Sequence, residues 1–187
     1  MPINNFASID AQCFQVPNPG GIRRVLVLCS RFIAAPWPTP AALNADNEVT
    51  AAPTYVEPLT TKWAEYMFPD GTASVASDGG GDPGYESFKH MVEIAMAGFS
   101  KEVRKEIRKH LNAGSVWIFE LKDGKYVVAG SSDDPIFVKP SFNSGKKGND
   151  KRGYTMKGEV DGITWDLPVL TSALVTGLPI APLPVVA

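Results

Sequence analysis

Side-chain catalysis needs a nucleophile with a base, a pair of carboxylates or a cluster of metal ligands, and this chain is sparing with all three. It has two histidines, His90 and His110, and two cysteines, Cys13 and Cys29. His90 falls in an alternating segment and reads as an ordinary sheet residue. His110 lies in the last turn of an expected helix, where its cation would suit the dipole. No G-x-S-x-G elbow accompanies them. Ser144-Gly145-Lys146-Lys147 matches S-x-x-K by spacing but lacks the companion motifs of enzymes that use it. The cysteines are too few and too far apart for a zinc site or redox motif, and both read as free thiols in or near the core.

Oxygen ligands are scarcely better arranged. Asp78 and Asp82 flank three glycines, and Asp133 adjoins Asp134; either pair could touch Ca²⁺, but neither has EF-hand spacing and turn chemistry explains both. Neither a P-loop nor a G-x-G-x-x-G after a strand is present. Neither an enzyme nor a cofactor or metal is expected. Lys146, Lys147, Lys151 and Arg152 form a basic run that would suit phosphate or an acidic patch on another subunit, the plainer reading being a solvated turn.

Composition narrows the classes further. Of 187 residues, 44% are hydrophobic and 20% charged, enough for a core and too ordinary for a disordered tail. A net charge of −2 argues against a dedicated nucleic-acid binder. Nowhere does an apolar run approach the ~18 residues of a membrane span, and the opening MPINNFASID lacks the pattern of a signal peptide. The 17 glycines and 16 prolines point to a β-rich protein with long loops.

The elements that would position these residues follow from apolar periodicity. Ile22 to Ile33 reads as a well-buried strand after a cluster of turn-formers. Residues 34–58 carry five prolines at 36, 38, 40, 53 and 58, so they are expected as an extended loop. A strand is expected around Trp63–Phe68, a turn at Pro69-Asp70-Gly71, and the strongest break at Asp78 to Gly84. Residues 86–97 fit a helix or a strand. The strand is preferred because Gly98 closes it before an independent helix signal. That helix has Ser100 as N-cap, Glu102 in its first turn and a stripe of Phe99, Val103, Ile107 and Leu111. Asp123-Gly124 between β-favouring runs predicts a hairpin. A short strand at Ile136–Val138, the basic loop 144–153, a further strand and a second Asp-Gly turn at 161–162 follow. The expected fold is a single β-rich α+β domain: a β-sandwich or barrel with one amphipathic helix packed on the sheet and long Pro-rich loops.

The loop and the end of the chain bear on function. Trp37, Leu43 and Tyr55 in loop 34–58, with Leu178, Ile180, Leu183 and Val185 in an apolar tail over 178–187, amount to more apolar surface than a monomer tolerates in bulk. With Lys146, Lys147, Lys151 and Arg152, they are expected to form an assembly interface across neighbouring copies, closing a ring or stacking into a tube.

The order of a strand, Gly98, a capped helix, SVWIFELKDGKYVVAG, FNSGKKGNDKRG and YTMKGEVDGITWDLPV resembles virion proteins of tailed phages, tail tube proteins first among them. It spans about residues 85–170. The resemblance implies a self-assembling structural subunit of the virion, made in the host cytoplasm, that forms stacked hexameric rings around the DNA channel. Its partners would be copies of itself and other tail or connector proteins, with DNA only as cargo and no membrane. Rival readings are a head–tail connector ring, a tail terminator or a capsid decoration protein. A small β-sandwich binding module would instead use Trp37, Trp63, Trp117 and Trp165 as stacking platforms.

Overall fold

Ten strands and two short helices make up the computed structural model, which describes residues 19–183. Strands hold 42% of the described residues and helices 12%, so the fold is β-rich as expected. In chain order the strands are β1 (Ile22–Cys29), β2 (Glu48–Val49), β3 (Ala64–Tyr66), β4 (Ala73–Gly80), β5 (Ser87–Ala97), β6 (Gly114–Leu121), β7 (Tyr126–Ala129), β8 (Ile136–Asn143), β9 (Gly153–Ile163) and β10 (Val169–Leu170). Helix α1 spans Lys101–Lys109 and α2 spans Ser172–Thr176.

All strands join one sheet, ordered β2-β10-β7-β6-β8-β9-β5-β4, with β1 and β3 added along the other side of β6. Every pairing is antiparallel except β10 with β2. The sheet forks at β6: Gly114 and Ser115 pair with β8, whereas Trp117 to Glu120 pair with β7. Gly114 is required at the fork, because a Cβ there would fall 2.6 Å from Pro135 Cγ. The fork lets the sheet curl into two limbs. One limb contributes Val25, Val27, Trp117, Phe119 and Val127, the other Val92, Ile94, Met96, Val138 and Met156, to a shared core.

Strands β1, β6 and β7 are buried on both faces, which is why they read as continuous apolar runs rather than alternating ones. Leu26, Leu28, Val116, Ile118 and Val128 point away from the first core into a second. That second face is covered by Trp37, Val49, Trp63, Leu170, Val175 and Leu178. Each such large side chain contributes about 1.5–3 kcal/mol over leaving it in water. The Pro-rich segment 34–58 therefore wraps its own sheet. It includes a 3-10 turn at Pro40–Ala42 and the short β2.

Helix α1 starts where the sequence predicts. Ser100 Oγ accepts from Val103 N at 3.1 Å, and Arg108 and Lys109 occupy the last turn. Val103 and buried Ile107 pack against the first core. Leu111 does not continue the stripe: the helix ends at Lys109, Asn112 turns at φ +55, and Leu111 is 72% exposed. Three more expectations change. Strand β4 runs through Asp78-Gly79-Gly80, so the break begins only at Gly81. Strand β8 continues past Val138 to Asn143, because Pro140 lies where an edge tolerates a missing donor. Strand β9 passes through Asp161-Gly162 instead of turning, the irregularity taken up by a register shift opposite Phe88 and His90.

Candidate assembly surface

The residues expected to reach neighbouring copies divide sharply. Trp37 is 4% exposed, its Nε1 donating to the Ala51 carbonyl at 2.8 Å and its ring set edge-on to Trp63 at 6.2 Å. Leu178 is 6% exposed, and Leu43, Tyr55 and Ile180 pack half-buried on the same core. Trp63 binds the segments together: its Nε1 donates to the Tyr55 hydroxyl at 2.9 Å, its N–H to Pro179 O, and its carbonyl accepts from Ala181 N. These five predicted interface residues thus cover their own sheet, because β1, β6 and β7 present a second apolar face that sequence periodicity does not reveal. Leu183 is exposed, while Val185 and Cys13 lie outside the described residues. Val56 and Leu59 are also left exposed.

Burial also removes platforms. Trp37, Trp63 and Trp117 are all in cores and Trp165 is half-buried, so the first three present no ring face for stacking.

Lys146, Lys147, Lys151 and Arg152 are exposed on the loop between β8 and β9. The Asp150 carboxylate accepts from the N–H groups of Lys146 and Lys147 at 2.6 and 2.8 Å, which holds it below the usual carboxylate range. The loop is thereby shaped by its backbone, and its basic side chains point outward. Arg152 O accepts from Gly98 N at 3.0 Å, fixing the loop beside the start of α1.

Sequence reasoning missed the free edges. Among the described residues β4 pairs only with β5, leaving one side of an eight-residue strand without a ladder partner. At the far side of the same limb, β8 beyond Phe137 pairs only with β9. The limb's outer face bears an open groove of about 710 Å³ lined by both polar and apolar side chains, among them Ser74, Met91, Glu93, Phe137, Lys139 and Lys157. Ion pairs Lys89–Glu159 at 2.8 Å and Lys157–Glu93 at 2.9 Å cross it. The signal available in the sequence was the alternation of β5, which fixes an outward row of Lys89, Met91 and Glu93.

Both histidines are buried. His90 Nδ1 accepts from Gly130 N at 3.2 Å, so the proton sits on Nε2, 3.0 Å from the Trp165 carbonyl. It pins the β7–β8 connection to β5, and burial lowers its pKa. His110 Nε2 lies 2.6 Å from the Tyr66 hydroxyl, which also donates to Glu106 Oε1 at 3.2 Å. Burial lowers the His110 pKa and raises that of Tyr66. This trio borders an open cleft of about 420 Å³ that also exposes Cys29, Lys62 and Lys109. Among the described residues, no three His, Cys, Asp or Glu side chains converge to hold a metal, and no helix is long and apolar enough to cross a membrane.

No family model, curated protein or solved structure matches this chain.

Proposed function

We propose that this protein is a structural virion subunit that assembles with itself, of the tail tube type its sequence resembles, and that its rings are closed by sheet edges. The observation that carries the reading is β4. An exposed strand of eight residues, carrying only Asp78 as a charge and no proline, is a ready template for another strand. Strands β4, β5, β9 and β8 alternate in direction, so β8 runs opposite to β4. Laying β8 of one copy beside β4 of the next would continue an antiparallel sheet, four strands per copy, its ladder interrupted at Pro140, which has no N–H to donate. Such a head-to-tail contact is heterologous and closes into a ring when its rotation allows.

In this reading the two limbs form a sandwich-like protomer with α1 packed between them, and the grooved outer face of β4-β5-β9-β8 lines the channel. DNA passes as cargo and no cofactor is required. A connector ring, tail terminator or decoration protein would differ in symmetry. The test is electron microscopy of the purified protein with light scattering over a concentration series. Sixfold rings or tubes with a central channel support the reading; trimers or a compact monomer at every concentration overturn it.

A further inference from the structure

We propose that copies of this chain also join end to end, the acidic β4–β5 tip of one seated on the basic, aromatic end of the next. The proposal rests on the self-assembly reading above and adds an axial contact to the lateral one.

The strand register sorts the charges. At one end of the limb lie the β4–β5 turn, the end of β9 and the approach to β8. Exposed there are Asp78, Asp82, Glu86, Asp133, Asp134, Asp161 and Asp166. Lys89 is the base beside them, and Glu159 already engages it at 2.8 Å. At the other end lie the β8–β9 loop and the first turns of α1, exposing Lys101, Arg104, Lys105, Lys146, Lys147, Lys151 and Arg152. The acids there are Glu102, Asp70, which pairs with Lys122 at 3.2 Å, and Asp150, whose carboxylate is bonded to backbone N–H groups. A net charge of −2 conceals this separation.

Apolar groups follow the same division. Tyr85 is 84% exposed at the acidic tip. At the basic end Phe99 and Phe142, each 43% exposed, meet at 4.6 Å, with Tyr154 5.0 Å from Phe142. The Arg104 guanidinium lies 4.9 Å over the Phe99 ring. An aromatic ring flanked by acids thus faces away from one end, and aromatic rings flanked by cations form the other.

Geometry forbids the two ends from satisfying each other within one chain. The eleven residues of β5 separate them by about 35 Å at the rise of a strand, several times the screening length of about 8 Å at physiological salt. Only another copy brings them together. Because the two patches are different surfaces, the contact is heterologous and propagates as a stack.

The test uses the full chain and two exposed-residue variants, one with Lys146→Glu, Lys147→Glu and Lys151→Glu, the other with Asp82→Lys and Glu86→Lys. Stack length is read by electron microscopy and sedimentation from about 0.1 M to about 1 M salt, over which screening shortens from about 10 Å to about 3 Å. The wild type should stack at low salt and fall to single rings at high salt. Each variant should need about tenfold more protein to stack, because the attraction between the two ends is cut. Mixing the variants should restore paired rings, since the unaltered acidic tip of the first then meets the unaltered basic end of the second. Stacking that ignores salt and both reversals overturns the axial contact. So does a defect confined to the basic variant that mixing does not repair, and a parallel titration with duplex DNA then shows whether that end binds nucleic acid instead. Rings that never stack in the wild type overturn the axial contact alone, whereas a chain without any rings overturns the lateral reading with it.

Discussion

The Tyr66 hydroxyl and His110 Nε2 lie 2.6 Å apart where the end of α1 meets β3. His110 is 7% exposed, and burial lowers its pKa against the opposing pull of the Glu106 charge, with Lys109 assisting the burial. His90 is lowered chiefly by burial as well. The unfolded chain therefore takes up protons near pH 6.5 that the folded chain refuses until lower pH. Stability should fall as pH drops from about 7 toward 5 and be flat in this respect above 7. Thermal unfolding across that range should show a shallower slope for His110→Gln and for His90→Gln than for the wild type. Equal slopes would mean that neither imidazole is held neutral by the fold.

The same contact has a neutral component. Tyr66→Phe removes the hydroxyl that His110 and Glu106 share, and should cost about 1–3 kcal/mol by leaving buried partners unsatisfied. Denaturant melts at pH 8, where both histidines are neutral, isolate this from the titration.

A second set of variants distinguishes wrapping from assembly. Leu178 and Trp63 are 6% and 0% exposed, so Leu178→Ala should cost about 2–5 kcal/mol and Trp63→Ala about 3–5 kcal/mol. Removing residues 178–187 should lower the melting temperature itself, which makes that truncation a poor probe of assembly. An unchanged melting temperature would show that the second face needs no cover.

What the sequence conveyed was local. The alternation in residues 86–97, the cap at Ser100 and the Asp123-Gly124 hairpin each depend on near neighbours, and the structure has all three. What it concealed was set by distant partners. Apolar residues among prolines look like surface awaiting a neighbour, but whether the neighbour is another copy or the chain's own sheet depends on β1 and β6 being buried twice. Strand β4 was hidden because glycines at 79–80 read as a break, although β5 supplies their ladder partners. The assignment of basic loop 144–153 to a surface needed no tertiary information, whereas its opposition to the Asp82 tip needed the register of three strand pairs.

Strand spacing supplies another check on the limb. A Cβ on Gly158 would come within 2.6 Å of Ile136 Cγ2 and 2.8 Å of Val138 Cγ1. Both neighbours are buried, so neither can swing aside into solvent. Gly158→Ala should destabilise by about 1–3 kcal/mol through overpacking, measurable by denaturant melts. A neutral result would show that β8 and β9 yield easily.

The free edge of β4 yields the prediction closest to function. Ser74 and Ala76 are exposed on the outer face and lie opposite Glu93 and Met91 of β5. Lysine at either position keeps its own strand pairing, because the change is in the side chain and not the backbone. It nevertheless places a long, hydrated cation along the unpaired side, a common way in which natural sheets discourage edge-to-edge addition. Ser74→Lys and Ala76→Lys should therefore leave the melting temperature within the range of ordinary surface changes, about ±0.5 kcal/mol. Both should suppress rings and shift light scattering toward the monomer. The double variant should do so more strongly than either. Loss of rings with loss of fold would mark a damaged protomer, and rings that persist in a well-folded double variant would exclude β4 as the joining edge.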